Sequence, residues 1–335
     1  MICVGGGKPL PCISDQKHKK LQTARMTEVR RTIKYLTPAL LFLVILMGTQ
    51  TLDAGEGGPQ DYHSIGKIAF SSYMSKNWEI WSINPDGTNP VQLTNTSSEE
   101  QYPAWSADGS KIAFATSEGE IWIGEPGKEF RKIPSLPKNC THPAWSPDGT
   151  KIVFTAYTFK EGREESDLYI AFLQQGKVHK LMEQEGVQRH PAWSPDGSEI
   201  VYSVGYWGTV GTPIEDLWIV DSKGTNPRRL VSTNGSNTQP EWSPDGNWIA
   251  FASDRTGNME IWIVDRYGKN QRQLTHNRAY DVDPSWSPDS SKICFVSTRS
   301  GKLDIWIMDR DGANLHQLTG LSNSKGDSKE PHWSR

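Results

Sequence analysis

Cysteine is scarce: the chain has four in 335 residues, and two of them, Cys3 and Cys12, precede Met26. The remaining pair, Cys140 and Cys294, falls in different sequence repeats and offers neither a disulfide framework nor a CxxC metal spacing. The fold must therefore stand on packing. Excess positive charge is also missing. Beyond residue 54 there are 28 basic against 36 acidic residues, a net of −8. Such a balance gives no electrostatic case for wrapping DNA or RNA, which needs concentrated Lys and Arg. Catalytic signatures are lacking too: the sequence contains no GxSxG elbow, no HExxH helix motif and no GxxxxGK[ST] phosphate loop.

Long apolar runs are confined to one place. Residues 35–52 are uncharged, with the apolar centre "PALLFLVILMG" at residues 38–48, and Arg30, Arg31 and Lys34 precede them. That is the layout of an export signal. The apolar centre is short of the roughly 20 residues that span a bilayer. Ala54 offers a small residue ahead of a cleavage point. Residues 1–25 read as an upstream or disordered extension, 26–54 as a signal peptide, 55–63 as a linker and 64–335 as the folded body. The expected location is periplasmic or secreted; retention of residues 35–52 as an N-terminal anchor is the alternative.

What is abundant is punctuation. Fourteen Trp, thirty Gly and twenty-one Pro suggest many short strands broken by turns. They are organised by repetition. "PAWSADG" at Pro103 returns as "PAWSPDG" at Pro143 and Pro191, "PEWSPDG" at Pro240, "PSWSPDS" at Pro284 and "PHWSR" at Pro331, a period of 40 to 49 residues. Each unit adds a strand such as "KIVF" (Lys151), another such as "EIWIV" (Glu260) and a fourth such as "RQLT" (Arg272). Four short strands at this period predict a β-propeller blade. The strands are apolar on both faces, so each sheet is buried between neighbours. A Pro is expected to open each first strand, where no N–H donor is needed. The following Asp-Gly supplies the hairpin turn.

The first unit begins at "KIAF" (Lys67) without a preceding Pro-x-Trp-Ser, and the last Pro-x-Trp-Ser has no strands after it. Each end lacks what the other has. The prediction is an all-β, six-bladed propeller closed by the C-terminal strand completing the N-terminal blade, with few exposed edges. The phrase "PAWSPDGTKIVF…DLYI" resembles the WD-like propeller repeat of the TolB family over about residues 64–335. That resemblance implies an exported propeller of the cell envelope. The α/β domain that precedes the propeller in that family has no counterpart in the short stretch before Lys67. Related repeats in peptidases and polysaccharide lyases keep an enzymatic alternative open.

In a propeller the innermost strands line the axis, so equivalent positions form rings. The residues before each repeat Pro are Tyr102, His142, His190, Gln239, Asp283 and Glu330. They are candidate ligand-binding residues. His142, His190, Asp283 and Glu330 also have the chemistry to hold a divalent metal. Polar side chains at a channel entrance are equally at ease in water with no ligand, and no other cofactor is indicated. Two connections between second and third strands are long, at residues 155–166 and 203–216; Tyr206 and Trp207 in the latter are candidate partner contacts, or pack back onto the blade. Trp145 and Trp262 read as inter-blade packing rather than a sugar-binding array. Asp148, Asp196 and Asp245 read as turn caps rather than calcium ligands. The expected function is a non-catalytic, monomeric scaffold binding proteins or envelope components, without nucleic acid. A metal-dependent lyase or hydrolase, or a small-ligand binder using the axial ring, is the alternative.

Overall fold

The computed structural model describes residues 66–160, 163–206, 214–320 and 326–334; the proposed signal segment, the linker and Trp207 lie outside them. The described residues form twenty-four strands in six four-stranded antiparallel sheets, with no helix among them. Each sheet is one blade. Strands a to d run from the axis outward.

Strand a spans Glu100–Trp105 in blade 2, Cys140–Trp145 in blade 3 and Val187–Trp193 in blade 4. It spans Asn237–Trp242 in blade 5 and Asp281–Trp286 in blade 6. Blade 1 takes its strand a from the other end of the chain: Ser328–Trp333 pairs with Ile68–Ser72. Ser334 N–H donates to the Lys67 carbonyl at 2.8 Å, and Lys67 N–H returns a bond to Ser334 Oγ at 2.7 Å. The ring is thereby closed without a free inner edge.

The repeat Trp residues do the inter-blade packing expected of them. Trp145 is 8% exposed and donates its indole N–H to the Ala104 carbonyl of the preceding blade at 3.0 Å; Trp286 does the same to Glu241 at 3.1 Å. Around Trp242, residues of blade 4 (Val201, Ile219) and blade 5 (Ile249, Phe251) share one buried cluster. Each such side chain contributes about 1.5–3 kcal/mol by leaving water, which is why no blade is stable without neighbours.

Turn chemistry follows the sequence closely. Asp148 Oδ1 accepts from Thr150 N–H at 3.0 Å and from Ser146 Oγ at 2.5 Å, and Gly149 takes a φ of 65°. Asp196 repeats the pattern with Ser194 and Ser198, and Asp245 with Ser243 and Asn247. These carboxylates cap their own turns. The Ser146 hydroxyl bond, chiefly, holds Asp148 down at about 2.

Two expectations need correction. The repeat Pro does not open strand a: in blade 3 the strand begins at Cys140, and Pro143 is its fourth residue. The described parts of the long connections are strand as well. Lys151–Lys160 pairs with Arg163–Phe172 along its whole length, and Glu199–Tyr206 pairs with Ile214–Asp221. β-Branched and aromatic residues such as Thr155, Tyr157 and Thr158 carry the ladder outward, so blades 3 and 4 have strands b and c of eight to ten residues.

Candidate functional site

Strand a is interrupted identically in every blade. Its pairing with strand b slips between Gln101 and Ala104, between Thr141 and Ala144, and at the four equivalent places, so two residues face one. Each is a β-bulge that accommodates the Pro, which has no N–H to give the ladder. The residue before the Pro takes a left-handed backbone: φ is 56° at Tyr102, 50° at His142, 53° at His190, 54° at Gln239, 52° at Asp283 and 56° at Glu330. A side chain before proline is disfavoured from helical conformations, and non-glycine residues rarely adopt positive φ. Each such residue stores on the order of 1–3 kcal/mol. The bulge aims all six at the axis.

All six predicted ring residues line one axial cavity of about 120 Å3. They divide into two arcs. On blades 2 to 4, the Tyr102 ring lies tilted against His142 at 4.0 Å between ring centroids, and His142 meets His190 edge-on at 4.3 Å. Burial, reinforced by His190, Arg189 and Lys329, keeps the His142 imidazole neutral far below its ordinary range. Burial likewise lowers His190 to about 4, against the pull of Glu215. His190 Nδ1 lies 3.2 Å from the hydroxyls of both Ser203 and Thr238.

On blades 5 and 1 the ring side chain accepts the backbone N–H of the next blade's ring residue. Gln239 Oε1 takes Asp283 N–H at 3.3 Å, and Glu330 Oε2 takes Tyr102 N–H at 2.7 Å. Glu330 also accepts from Ser71 Oγ at 2.8 Å and pairs with Lys329 at 2.9 Å. Burial and the Glu330 charge push Asp283 up to about 7. Burial, then Glu330, pushes the Tyr102 phenol upward.

A second ring lies two residues further along strand a, at Ala104, Ala144, Ala192, Glu241, Ser285 and His332. Sequence reasoning missed it, although the variable residue inside each Pro-x-Trp marks it. Glu241 and His332 line both the axial cavity and a narrower space beyond it, floored by Trp105, Trp145 and Trp193. His332 Nδ1 accepts Trp105 N–H at 3.1 Å, which leaves the proton of the neutral ring on Nε2. The arc of blades 2 to 4 thus carries rings over alanines, and the arc of blades 5, 6 and 1 carries polar groups in both layers.

The four residues considered for a metal do not gather into a ligand set: no group of three or more His, Cys, Asp or Glu placed to hold a metal occurs among the described residues. His142 and His190 face each other across one arc, while in the other Glu330 is engaged with the Tyr102 N–H.

The face where strands a begin carries the mouth. Arg189, beside His190, pairs with Glu164 and with Glu215 (3.0 Å) from the two extended hairpins and lies 5.8 Å from the Tyr157 ring. Lys329 Nζ bonds Gln101 Oε1 at 2.9 Å and sits 4.5 Å over the Trp78 ring. Of the eight exposed large apolar side chains among the described residues, five sit on this face: Tyr73, Phe159, Tyr206, Ile214 and Tyr280. Tyr206, one of the two expected partner contacts, is 38% exposed at the end of its strand.

Fold and site together define a closed six-bladed β-propeller with a polar axial ring open at one face. The chain belongs to the TolB beta propeller domain family, whose pattern matches residues 64–213 and 215–335. Among solved structures it is similar to TolB from Acinetobacter baumannii, with a TM-score of 0.68 and 23% identity over 80% of this chain and 66% of that one. A putative TolB from Agrobacterium tumefaciens gives a TM-score of 0.62 and 22% identity over 81% of this chain and 99% of that one. An oligogalacturonate lyase in complex with manganese shares the fold at a TM-score of 0.55 and 17% identity, over 75% of this chain and 73% of that one. Ninety residues are 31% identical to dipeptidyl-peptidase 5 of Porphyromonas gingivalis, a stretch spanning 26% of this chain but only 12% of that protein.

Proposed function

We propose that this protein is an exported, non-catalytic binding scaffold that seats a protein partner on the face bearing the axial mouth. One observation carries the reading: six strained ring residues converge on a cavity at the face that holds five of the eight exposed large apolar side chains among the described residues. Interfaces are built around aromatic anchors with polar groups beside them, and left-handed strain persists where a site uses it. Export is part of the proposal, on the strength of the uncharged stretch at residues 35–52 behind a basic cluster. The reading as a metal-dependent lyase or hydrolase rests on likeness of fold alone.

Site-specific photo-crosslinking tests this. A photoreactive residue is placed at Tyr206 on the mouth face or at Tyr267, 72% exposed on the opposite face, and the full chain is irradiated in its native envelope. A discrete adduct from position 206 and none from 267 is the expected result. Equal labelling from both, or adducts from 267 alone, would remove the mouth face as the docking surface.

A further inference from the structure

Every blade junction sets the start of one blade's strand c beside the start of the next blade's strand a. The backbone fixes the register: Glu100 N–H reaches the Trp78 carbonyl at 2.8 Å, as Cys140 reaches Gly119, Asp281 reaches Met259 and Ser328 reaches Leu303. Four junctions therefore oppose a carboxylate with a neutral residue: Cys140, Gln188, Asn237 or Ser328. Two junctions oppose two carboxyl groups. At the junction of blades 5 and 6, Asn277 bridges Glu260 (3.2 Å) and Asp281 (2.7 Å), and the Arg299 guanidinium neutralises Asp281 at 2.6 Å.

Among the described residues, the junction of blades 1 and 2 has no such cation. Glu79 and Glu100 are both 1% exposed. Glu79 accepts from Thr94 Oγ1 at 2.8 Å and Thr96 N–H at 3.3 Å, while Glu100 Oε1 accepts from Thr96 Oγ1. Glu100 Oε2 is buried without any partner. The residue that supplies Arg299 in blade 6 has no equivalent in blade 2, whose b–c turn is short and contains Glu118. Glu79 is the titratable group that faces Glu100, Thr94, Thr96 and Thr116 are its uncharged neighbours, and Lys329 at the mouth is engaged by Glu330 and Gln101.

We propose that Glu79 and Glu100 share one proton, held on Glu100 Oε2 and donated to Glu79, and that this proton is a clasp between blades 1 and 2. Two ionised carboxylates cannot stay side by side out of water, and a proton turns the orphan oxygen into the donor the site lacks. Burial, then the Glu79 contact, pushes the Glu100 carboxyl far above its ordinary range. Gln101 and Tyr102 follow Glu100 on the same strand, so loss of the proton loads the edge of the axial mouth where Tyr102 N–H meets Glu330. The clasp is independent of what the mouth binds.

The sign follows from linkage. Folded Glu100 keeps a proton that the unfolded chain has released, so stability falls as pH rises above the ordinary carboxylate range until the folded group ionises. Calorimetry of the full chain, wild type and Glu100→Gln, at about pH 5 and about pH 9 reads this directly. The expected result is a Tm loss between those pH values that is larger in wild type by roughly 2–4 °C or more. Glu79→Gln should flatten the profile in the same way. Infrared spectroscopy gives a second readout: because Asp283 also holds a proton near neutral pH, the comparison is made in an Asp283→Asn background, where a protonated-carboxyl band is present and is removed by adding Glu100→Gln. Parallel pH profiles, or a band unchanged by the substitution, would overturn the clasp. So would a calcium-dependent Tm rise in wild type that Glu100→Gln abolishes, because the occupant would then be a metal ion.

Discussion

The two arcs of the axial ring are built on the same bulge and the same left-handed backbone, yet they are held by different physics. In blades 2 to 4 the side chains hold one another: Tyr102, His142 and His190 contact ring to ring, above alanines. In blades 5 and 1 the side chain holds the neighbouring blade's backbone in a relay, Gln239 taking Asp283 N–H and Glu330 taking Tyr102 N–H. The difference teaches where stability and recognition are divided. The relay arc is part of the closure of the propeller. In the aromatic arc the Nδ1 atoms meet only hydroxyls, His142 with Thr141 and His190 with Ser203 and Thr238, and the arc lies beside the extended hairpins of blades 3 and 4.

Removing residues 331–335 should have the largest effect, because it takes away Trp333 and both bonds between Lys67 and Ser334. The relay arc then loses its supporting strand, and the expected outcome is loss of the cooperative thermal transition of the whole domain. A truncated chain that melts like wild type would break the closure account. Next, Glu330→Ala should cost about 3–5 kcal/mol in chemical denaturation, since it leaves the Tyr102 N–H unpaired and removes the carboxylate partner of Lys329. His142→Ala should cost only about 0.5–1.5 kcal/mol, the worth of an aromatic contact. Equal costs would erase the distinction between the arcs.

The effect of pH probes the relay separately. Asp283 is raised to about 7 in the folded chain, so it contributes a loss of stability as pH climbs from the ordinary carboxylate range to about 7 and none beyond. Asp283→Asn should remove that component of the Tm profile. An unchanged slope between about pH 4 and about pH 7 would show that Asp283 is ionised throughout.

Much of this architecture is legible in the sequence because the repeats align. Comparing copies predicts six blades, closure by the last Pro-x-Trp-Ser, Trp between blades, Asp148 as a turn cap and the six axial residues. The bulge is not legible. A proline in a strand pattern is compatible with a strand start or with a bulge, and only the pairing of Thr141 and Ala144 with strand b decides between them. Residues 155–166 read as a connection because Gly162 and a charged run interrupt the alternation, yet the ladder from Lys151 to Lys160 is continuous. The Glu79 and Glu100 pair is hidden for another reason: the two residues belong to different blades, and their proximity is a product of ring geometry.

The central claim is that the ring residues bear backbone strain because their side chains are needed for binding. Glycine tolerates positive φ without that strain, so His142→Gly separates the two roles. The measurement is the yield of the adduct captured from position 206 by wild type and by His142→Gly, compared at equal folded fraction. The account predicts a Tm no lower than that of His142→Ala together with a fall in adduct of roughly tenfold, the loss expected of an interface hot spot. Full capture by His142→Gly would contradict it and leave the aromatic arc as packing alone.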